Sequence, residues 1–436
     1  MTDTFLTRPI FGDADMAQCF GDAALTRAML DVEAALARAQ GILGVIPNEA
    51  AAAISSGAEG LNVDVGRLEQ GVAVSGVPIP ALVAALREAV GSPHDDWVHW
   101  GATSQDIVDT GVSLVFRDAL GLLETQVAGL IDSLEAASQK HDTTLMIART
   151  RGQLATPITF GLRAAQWAQP LIAREAELAQ LKRRILRVQF GGASGSQSVV
   201  APHGVATVEA LAQALGLAPA APWHTDRSAH ARLAGWLSGL VAACAKMAGD
   251  LILLGRSEID EVRAGAGGGS STMPQKSNPV TAEAIVSLSR VAQACEAGLS
   301  ASRIHAEERD GAMWSVEWLL LPQLFEVTAA ALRHATLLAG DLRPNEARMR
   351  QRMDDTPEVL AEAAVFALAP KLGRQDAAKQ VQEAFSAGEP LREALRKAGP
   401  KDIDWDAAFA PARFSGPAAE IARSIFAARR MESPDD

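Results

Sequence analysis

Between Arg263 and Pro279 the chain reads RAGAGGGSSTMPQKSNP, where glycines 265, 267, 268 and 269 lead into two serines, a lysine and an asparagine. So much glycine cannot be a helix interior, where each one costs about 1 kcal/mol relative to alanine. It implies a mobile loop, and mobile loops that also carry Ser, Lys and Asn are often lids that close over a substrate. On glycine composition alone, a surface linker between helices is the competing account. Nucleotide phosphate is disfavoured as the ligand. A P-loop needs Gly directly before Lys-Ser/Thr, but Gln275 precedes Lys276, and a dinucleotide fingerprint fails because Ser270 takes the place of its last Gly.

Other residues could share that chemistry. Thr103-Ser104-Gln105-Asp106 has the composition of a helix start, with Ser104 as the cap. Because free N–H groups at a helix N-terminus favour a carboxylate, capping and anion binding are compatible there. His224 and His305 could exchange protons near neutral pH, although a lone histidine is more often structural, and of the two only His224 is retained as a candidate. Arg303 and Arg309 flank Glu307 and Glu308, a pattern that also reads as a solvated, salt-bridged face. Cys19, Cys244 and Cys295 are too few and too scattered for a disulfide framework or a Cys-x-x-Cys metal site, and the last two sit in apolar helical patterns that read as core. Trp97, Trp100, Trp223, Trp314 and Trp318 read as core or rim packing.

The elements that must position these residues are long helices. Aromatic content is 5% with no Tyr in 436 residues, which favours helix over an aromatic-rich sheet, and the fold class expected is all-α. Apolar residues recur at helical spacing over about 113–139, through Phe116, Leu120, Leu123, Val127, Leu130 and Leu134. They recur again over about 230–256, from Leu233 to Leu254 in alternating steps of four and three, and near 159–188, 280–303 and 315–339. Helices of that length pack in a thick bundle or serve subunit contacts, and both are expected. The first ~110 residues, broken by Pro47, Gly60, Pro78, Pro80 and Pro93, form an N-terminal helical domain (1–110). A central bundle follows (111–343), and beyond Pro344 comes a C-terminal helical domain (344–436). The net charge of −12 argues against nucleic-acid binding, so an anionic substrate needs a local cationic pocket. The N-terminus has no signal-peptide pattern and no run of 18 apolar residues occurs, so a cytoplasmic protein without membrane contact is expected.

GSSTMPQKSNP at 269–279 resembles the GSSxMPxKxNP signature of the fumarase/aspartase superfamily. Two further stretches are similar to that superfamily's other regions, HWGATSQDIVDT at 99–110 and ARTRGQLATPITFG at 148–161. The resemblance implies a three-domain, L-aspartase-like fold and a homotetramer assembled through the bundle, with active sites shared between subunits. It implies no cofactor and no metal. It assigns Thr103 and Ser104 to a substrate carboxylate, Gln153, Thr156, Asn278 and Arg309 to substrate binding, Lys276 to stabilising developing negative charge, and Ser271 to proton transfer at carbon; Ser270 reads as a loop hydrogen-bonding residue.

In one place the sequence departs from the pattern. Fumarate-releasing members usually carry a histidine where Arg151 stands, and a guanidinium does not give up its proton in proteins. An intramolecular reaction with no departing amine is easier to accommodate. The branch whose members cyclise carboxymuconates often lacks that histidine, and MLDVEAALARAQGILGVIP at 29–47, WHTDR at 223–227 and HAEERDGAMWSVEWLLLP at 305–322 resemble that branch. The resemblance then implies a small tricarboxylate substrate and a step in protocatechuate breakdown. Three alternatives stay open: a fumarate-releasing lyase acting on a substrate such as adenylosuccinate, a sulfomuconate-cyclising enzyme, and a catalytically silent structural homologue. Intact Ser271, Lys276 and Asn278 argue against the last.

Overall fold

The computed structural model describes residues 4–269, 273 and 276–432. Five long helices carry the architecture: α1 (Ser104–Lys140), α2 (Phe160–Ile185), α3 (Ser228–Leu254), α4 (Val280–Ala301) and α5 (Gly311–Gly340). Each begins or ends within a few residues of the span that apolar periodicity predicts, because burial of one stripe decides where such a helix persists. On α1, Phe116, Leu120, Leu123, Val127, Leu130 and Leu134 are all buried, and on α3 so are Leu233, Leu237, Leu240, Cys244, Met247 and Leu251. By length and composition α3 is apolar enough to cross a membrane, with 56% of its most apolar stretch buried within the protein.

The all-α expectation misses a two-stranded antiparallel hairpin, β1 (Leu145–Thr150) and β2 (Gln153–Thr159), which joins α1 to α2. A two-residue connection fits the right-handed twist of strands when both residues have positive φ, and here Arg151 has φ 52° and Gly152 has φ 80°. The register slips between Ile147 and Arg149, placing Ala155 and Thr156 opposite Ala148 alone, and Pro157, which has no N–H to donate, sits beside that bulge. Two shorter pairs complete the strands among the described residues. Val262–Arg263 pairs with Arg343–Pro344, and β3 (Gly268–Gly269) pairs with β4 (Ser277–Asn278).

The chain divides into two compact units, each built from three separated stretches. The first comprises Met1–Gln126, Glu177–Val241 and Ser287–Ala331; the second comprises Val127–Ala176, Ala242–Val286 and Leu332–Asp436. The first has its core around Val32, Leu36, Ile54, Leu82, Phe190 and Leu211. In the second, a separate cluster of Leu368, Val381, Leu395 and Trp405 organises the C-terminal helices.

Gly161 shows how tightly the second unit is built. A Cβ there would lie 2.8 Å from the His141 carbonyl oxygen and 2.9 Å from Asp142 Cα, and closer still to the Ser138 carbonyl oxygen. These are backbone atoms that cannot swing aside. Gly161→Ala is therefore expected to destabilise the protein by about 1–3 kcal/mol, seen as a lower midpoint in thermal unfolding. An unchanged midpoint would show that α2 can shift away from the end of α1.

Candidate active site

In the first unit, Thr103 takes the N-cap position of α1 and Ser104 is the first helical residue, so the cap expected of Ser104 is made differently. Asp106, three residues after Thr103, reaches back and accepts from the Thr103 amide at 3.0 Å, the reciprocal half of a capping box. That leaves the Thr103 hydroxyl free for another partner. Arg309 supplies it, donating from Nη1 to Thr103 Oγ1 at 2.8 Å and from Nη2 to the carbonyls of Gly192 (3.2 Å) and Ala193 (2.9 Å). Glu307 and Glu308 are exposed as a solvated face requires, but Arg309 turns inward.

Asp106 is the hub of this region. Its buried carboxylate also accepts from the amides of Gly191 and Gly192, both at 2.9 Å, from Gln189 Nε2 at 3.3 Å and from His224 Nε2 at 2.8 Å. The turn at Gly191 lies against the imidazole, where a Cβ would be 2.7 Å from His224 Cε1. Sequence reasoning missed Asp106, although an acid three residues after a capping threonine was a readable signal.

A second missed pair is His99 and Glu33. His99 Nδ1 lies 2.6 Å from the buried Glu33 carboxylate, and His99 adopts a left-handed φ of 63°. Burial alone would lower the imidazole pKa, but the Glu33 charge and hydrogen bond outweigh it and the pKa ends above its ordinary 6.5. A raised folded-state value means the pair's contribution to stability is fully present below about pH 6.5 and is lost as pH rises through the folded-state pKa. Melting temperature measured against pH should therefore show Glu33→Gln costing more at about pH 6 than at about pH 9. An equal cost at both would contradict the ion pair.

Behind the hub, Arg227 is fully enclosed. It donates from Nη1 to Asp109 Oδ2 at 2.7 Å and from Nε to Glu317 Oε1 at 2.9 Å, with its guanidinium 4.7 Å from the Trp223 ring centre. Asp109 also accepts from Trp314 Nε1 at 2.9 Å. Thus the WHTDR stretch divides its work: His224 faces Asp106, and Arg227 neutralises two core carboxylates. A cavity of about 530 Å³ in the same unit touches Asp109, Arg227 and Glu317 but none of the expected substrate residues. Its walls, including Phe20, Met29, Leu68, Phe116 and Trp318, are apolar and suit a polycarboxylate poorly.

In the second unit, Arg151 is exposed at the hairpin tip, Gln153 is the first residue of β2, and Thr156 lies at the bulge. The hairpin is tied down by Arg149, which grips the buried Glu261 with bonds of 2.6 and 2.8 Å. Glu261 precedes the strand pair that roots the glycine-rich loop. Lys276 is exposed, and Asn278 is half-buried on β4. The pairing of β3 with β4 sets Gly268 opposite Asn278 and Gly269 opposite Ser277. Ser270 and Ser271 lie outside the described residues.

The lyase family pattern matches residues 12–293. The chain belongs to this lyase family. Within the fumarase/aspartase superfamily of such lyases it is 36% identical over 418 residues to a 3-carboxy-cis,cis-muconate cycloisomerase of Bradyrhizobium diazoefficiens, covering 94% of this chain and 93% of the relative. A second lyase relative, the enzyme of the same name from Pseudomonas putida, is 37% identical, with 86% of this chain and 90% of the relative covered. The crystal structure of the 3-carboxy-cis,cis-muconate lactonizing enzyme from Pseudomonas putida superimposes with a TM-score of 0.88 at 33% identity, covering 99% of this chain and 100% of that one.

Proposed function

We propose that this chain is an isomerase that cyclises 3-carboxy-cis,cis-muconate to 4-carboxymuconolactone. The observation that carries this reading is the likeness over nearly the whole chain to relatives bearing that activity in their names. Arg151 supports it independently, since a permanent cation at the hairpin tip cannot protonate a departing amine.

In this reaction one carboxylate oxygen adds to the conjugated C=C, and the displaced electron pair becomes a carbanion α to another carboxylate. The resulting aci-carboxylate needs fixed positive charge and hydrogen bonds aimed at it. Lys276 and Arg151 supply charge, with Asn278, Gln153, Thr156, Thr103, Ser104 and Arg309 holding the substrate's carboxylates. Ser271 delivers the proton to carbon. Three carboxylates become two plus a lactone, so one proton is taken up per turnover.

Thr103, Ser104, His224 and Arg309 belong to one unit and Arg151, Gln153, Thr156, Lys276 and Asn278 to the other; the resemblance to the superfamily supports a homotetramer with shared active sites. Exposed apolar side chains on the long helices, Leu319 at 72%, Leu337 at 59% and Leu253 at 53%, are suited to such subunit contacts. We place the protein in the cytoplasm, acting in protocatechuate breakdown.

The test is to mix purified protein with 3-carboxy-cis,cis-muconate and follow the conjugated-diene ultraviolet absorbance, with adenylosuccinate in a parallel cuvette. Loss of the diene signal is expected. Conversion of adenylosuccinate alone would move the chain to the fumarate-releasing branch, and silence in both would reject the reading.

A further inference from the structure

We propose that Glu261 is a positioning residue for the cyclisation: through Arg149 it locks the hairpin that carries Arg151, Gln153 and Thr156 to the root of the loop that carries Lys276 and Asn278. The inference rests on the function proposed above for what those residues do, and on the second unit alone for its geometry.

A buried carboxylate is costly unless both of its oxygens are paired. Glu261 is 1% exposed, and each oxygen accepts from a different nitrogen of Arg149, Oε1 from Nη2 at 2.6 Å and Oε2 from Nη1 at 2.8 Å. Two parallel bonds fix the angle of the guanidinium as well as its distance, which a lysine ammonium cannot do. Arg149 stands on β1 opposite Leu154 and two residues from Arg151, so the grip falls close to the hairpin tip.

The other end of the link is held just as firmly. Asp260 has φ 50°, a left-handed turn that Asp tolerates better than most side chains. On one side of that turn, Arg348 Nε donates to the Ile259 carbonyl at 3.2 Å and Arg352 Nη2 to the Glu258 carbonyl at 2.7 Å. On the other, the Glu261 amide donates to the carbonyl of Leu254, the last residue of α3, at 3.0 Å, and its carbonyl accepts from the Asn345 amide at 2.8 Å. Val262 and Arg263 then pair with Pro344 and Arg343, and Arg343 Nη2 reaches the Gly265 carbonyl at 3.1 Å. Three residues further on, Gly268 lies opposite Asn278, packed so closely that a Cβ there would be 2.6 Å from Val280 Cγ2. A shift of Glu261 is therefore passed along paired backbone towards Asn278.

Charge neutralisation alone would not require Arg149. Arg352 Nε lies 3.7 Å from Glu261 Oε1, beyond hydrogen-bond reach but close enough to supply a second cation. What Arg149 adds is the fork, and the fork joins two elements whose groups must meet one substrate. Misplacing such groups by about 1 Å costs on the order of 10²-fold in rate.

The test uses Arg149→Lys and Glu261→Gln in the full-length protein, reading turnover of 3-carboxy-cis,cis-muconate and amide hydrogen exchange on each. Arg149→Lys keeps a cation beside the carboxylate and is expected to stay folded. It is expected to lose about 10–100-fold in kcat with a smaller change in KM, and to exchange faster at residues 262–269 and 277–278 although the substitution lies on the hairpin. Combining the two substitutions is expected to cost no more than the worse of them, since both break one link. A kcat for Arg149→Lys within about threefold of wild type, unchanged exchange at 262–269 and 277–278, or exchange rising equally in the cluster of Leu368, Val381, Leu395 and Trp405 would overturn the positioning role. If Glu261→Gln does not fold, Arg149→Lys carries both readouts by itself. A wild type inactive on this substrate would reject the cyclisation, while the exchange measurement would still decide whether the hairpin and the loop root are linked.

Discussion

Arg227→Ala is expected to cost about 3–5 kcal/mol of stability. The guanidinium is enclosed between Asp109 and Glu317, and the attraction of these two carboxylates outweighs burial and holds its pKa above an already high value. Truncation would leave two buried carboxylates facing each other without a cation, so the loss exceeds that of the hydrogen bonds themselves. Replacing Arg227, Asp109 and Glu317 together with apolar residues of similar size should recover much of it. Chemical denaturation of all three proteins measures the difference. A loss below about 1 kcal/mol for Arg227→Ala would mean that water reaches the site and compensates.

Ser271→Ala is expected to lower turnover by about 10²–10⁴-fold while assembly and melting temperature stay unchanged, because in the proposed cyclisation this hydroxyl only moves a proton. This comparison also separates an enzyme from a silent homologue. In a silent homologue the alanine variant and the wild type would be equally inert towards the diene. A variant retaining full activity would transfer the proton-donor role to another group, and Lys276→Met would be the next substitution to make.

The long helices were legible because a single physical signal, one buried stripe at helical spacing, persists over twenty to forty residues and survives local noise. The hairpin was not. Its strands are short, its turn uses Arg where Asn or Asp usually supplies positive φ, and RTRGQLATP drew attention as chemistry rather than as backbone. Among the site residues, local sequence located the helix start at Thr103 but misassigned its cap, because Asp106 accepts from the Thr103 amide while the Thr103 hydroxyl serves Arg309. The pairings of Asp106 with His224, Asp109 with Arg227 and Glu317, and Arg149 with Glu261 join positions distant in the chain, and no local pattern encodes such partners. Arg309 shows the same limit, since Arg303, Glu307, Glu308 and Arg309 together read as a solvent face, whereas Arg309 turns inward.

The interleaving of the two units bears on how a ribosome must deliver this protein. Asp109 leaves the exit tunnel well before Arg227 exists to pair with it, and Glu317 follows roughly 200 residues after Asp109, on the order of 10–40 s at ordinary synthesis rates. Neither unit can close before most of the chain exists, because each waits for a stretch that lies beyond part of the other. The nascent chain therefore carries part of the apolar stripe of α1 before all of the segments that cover it have been made.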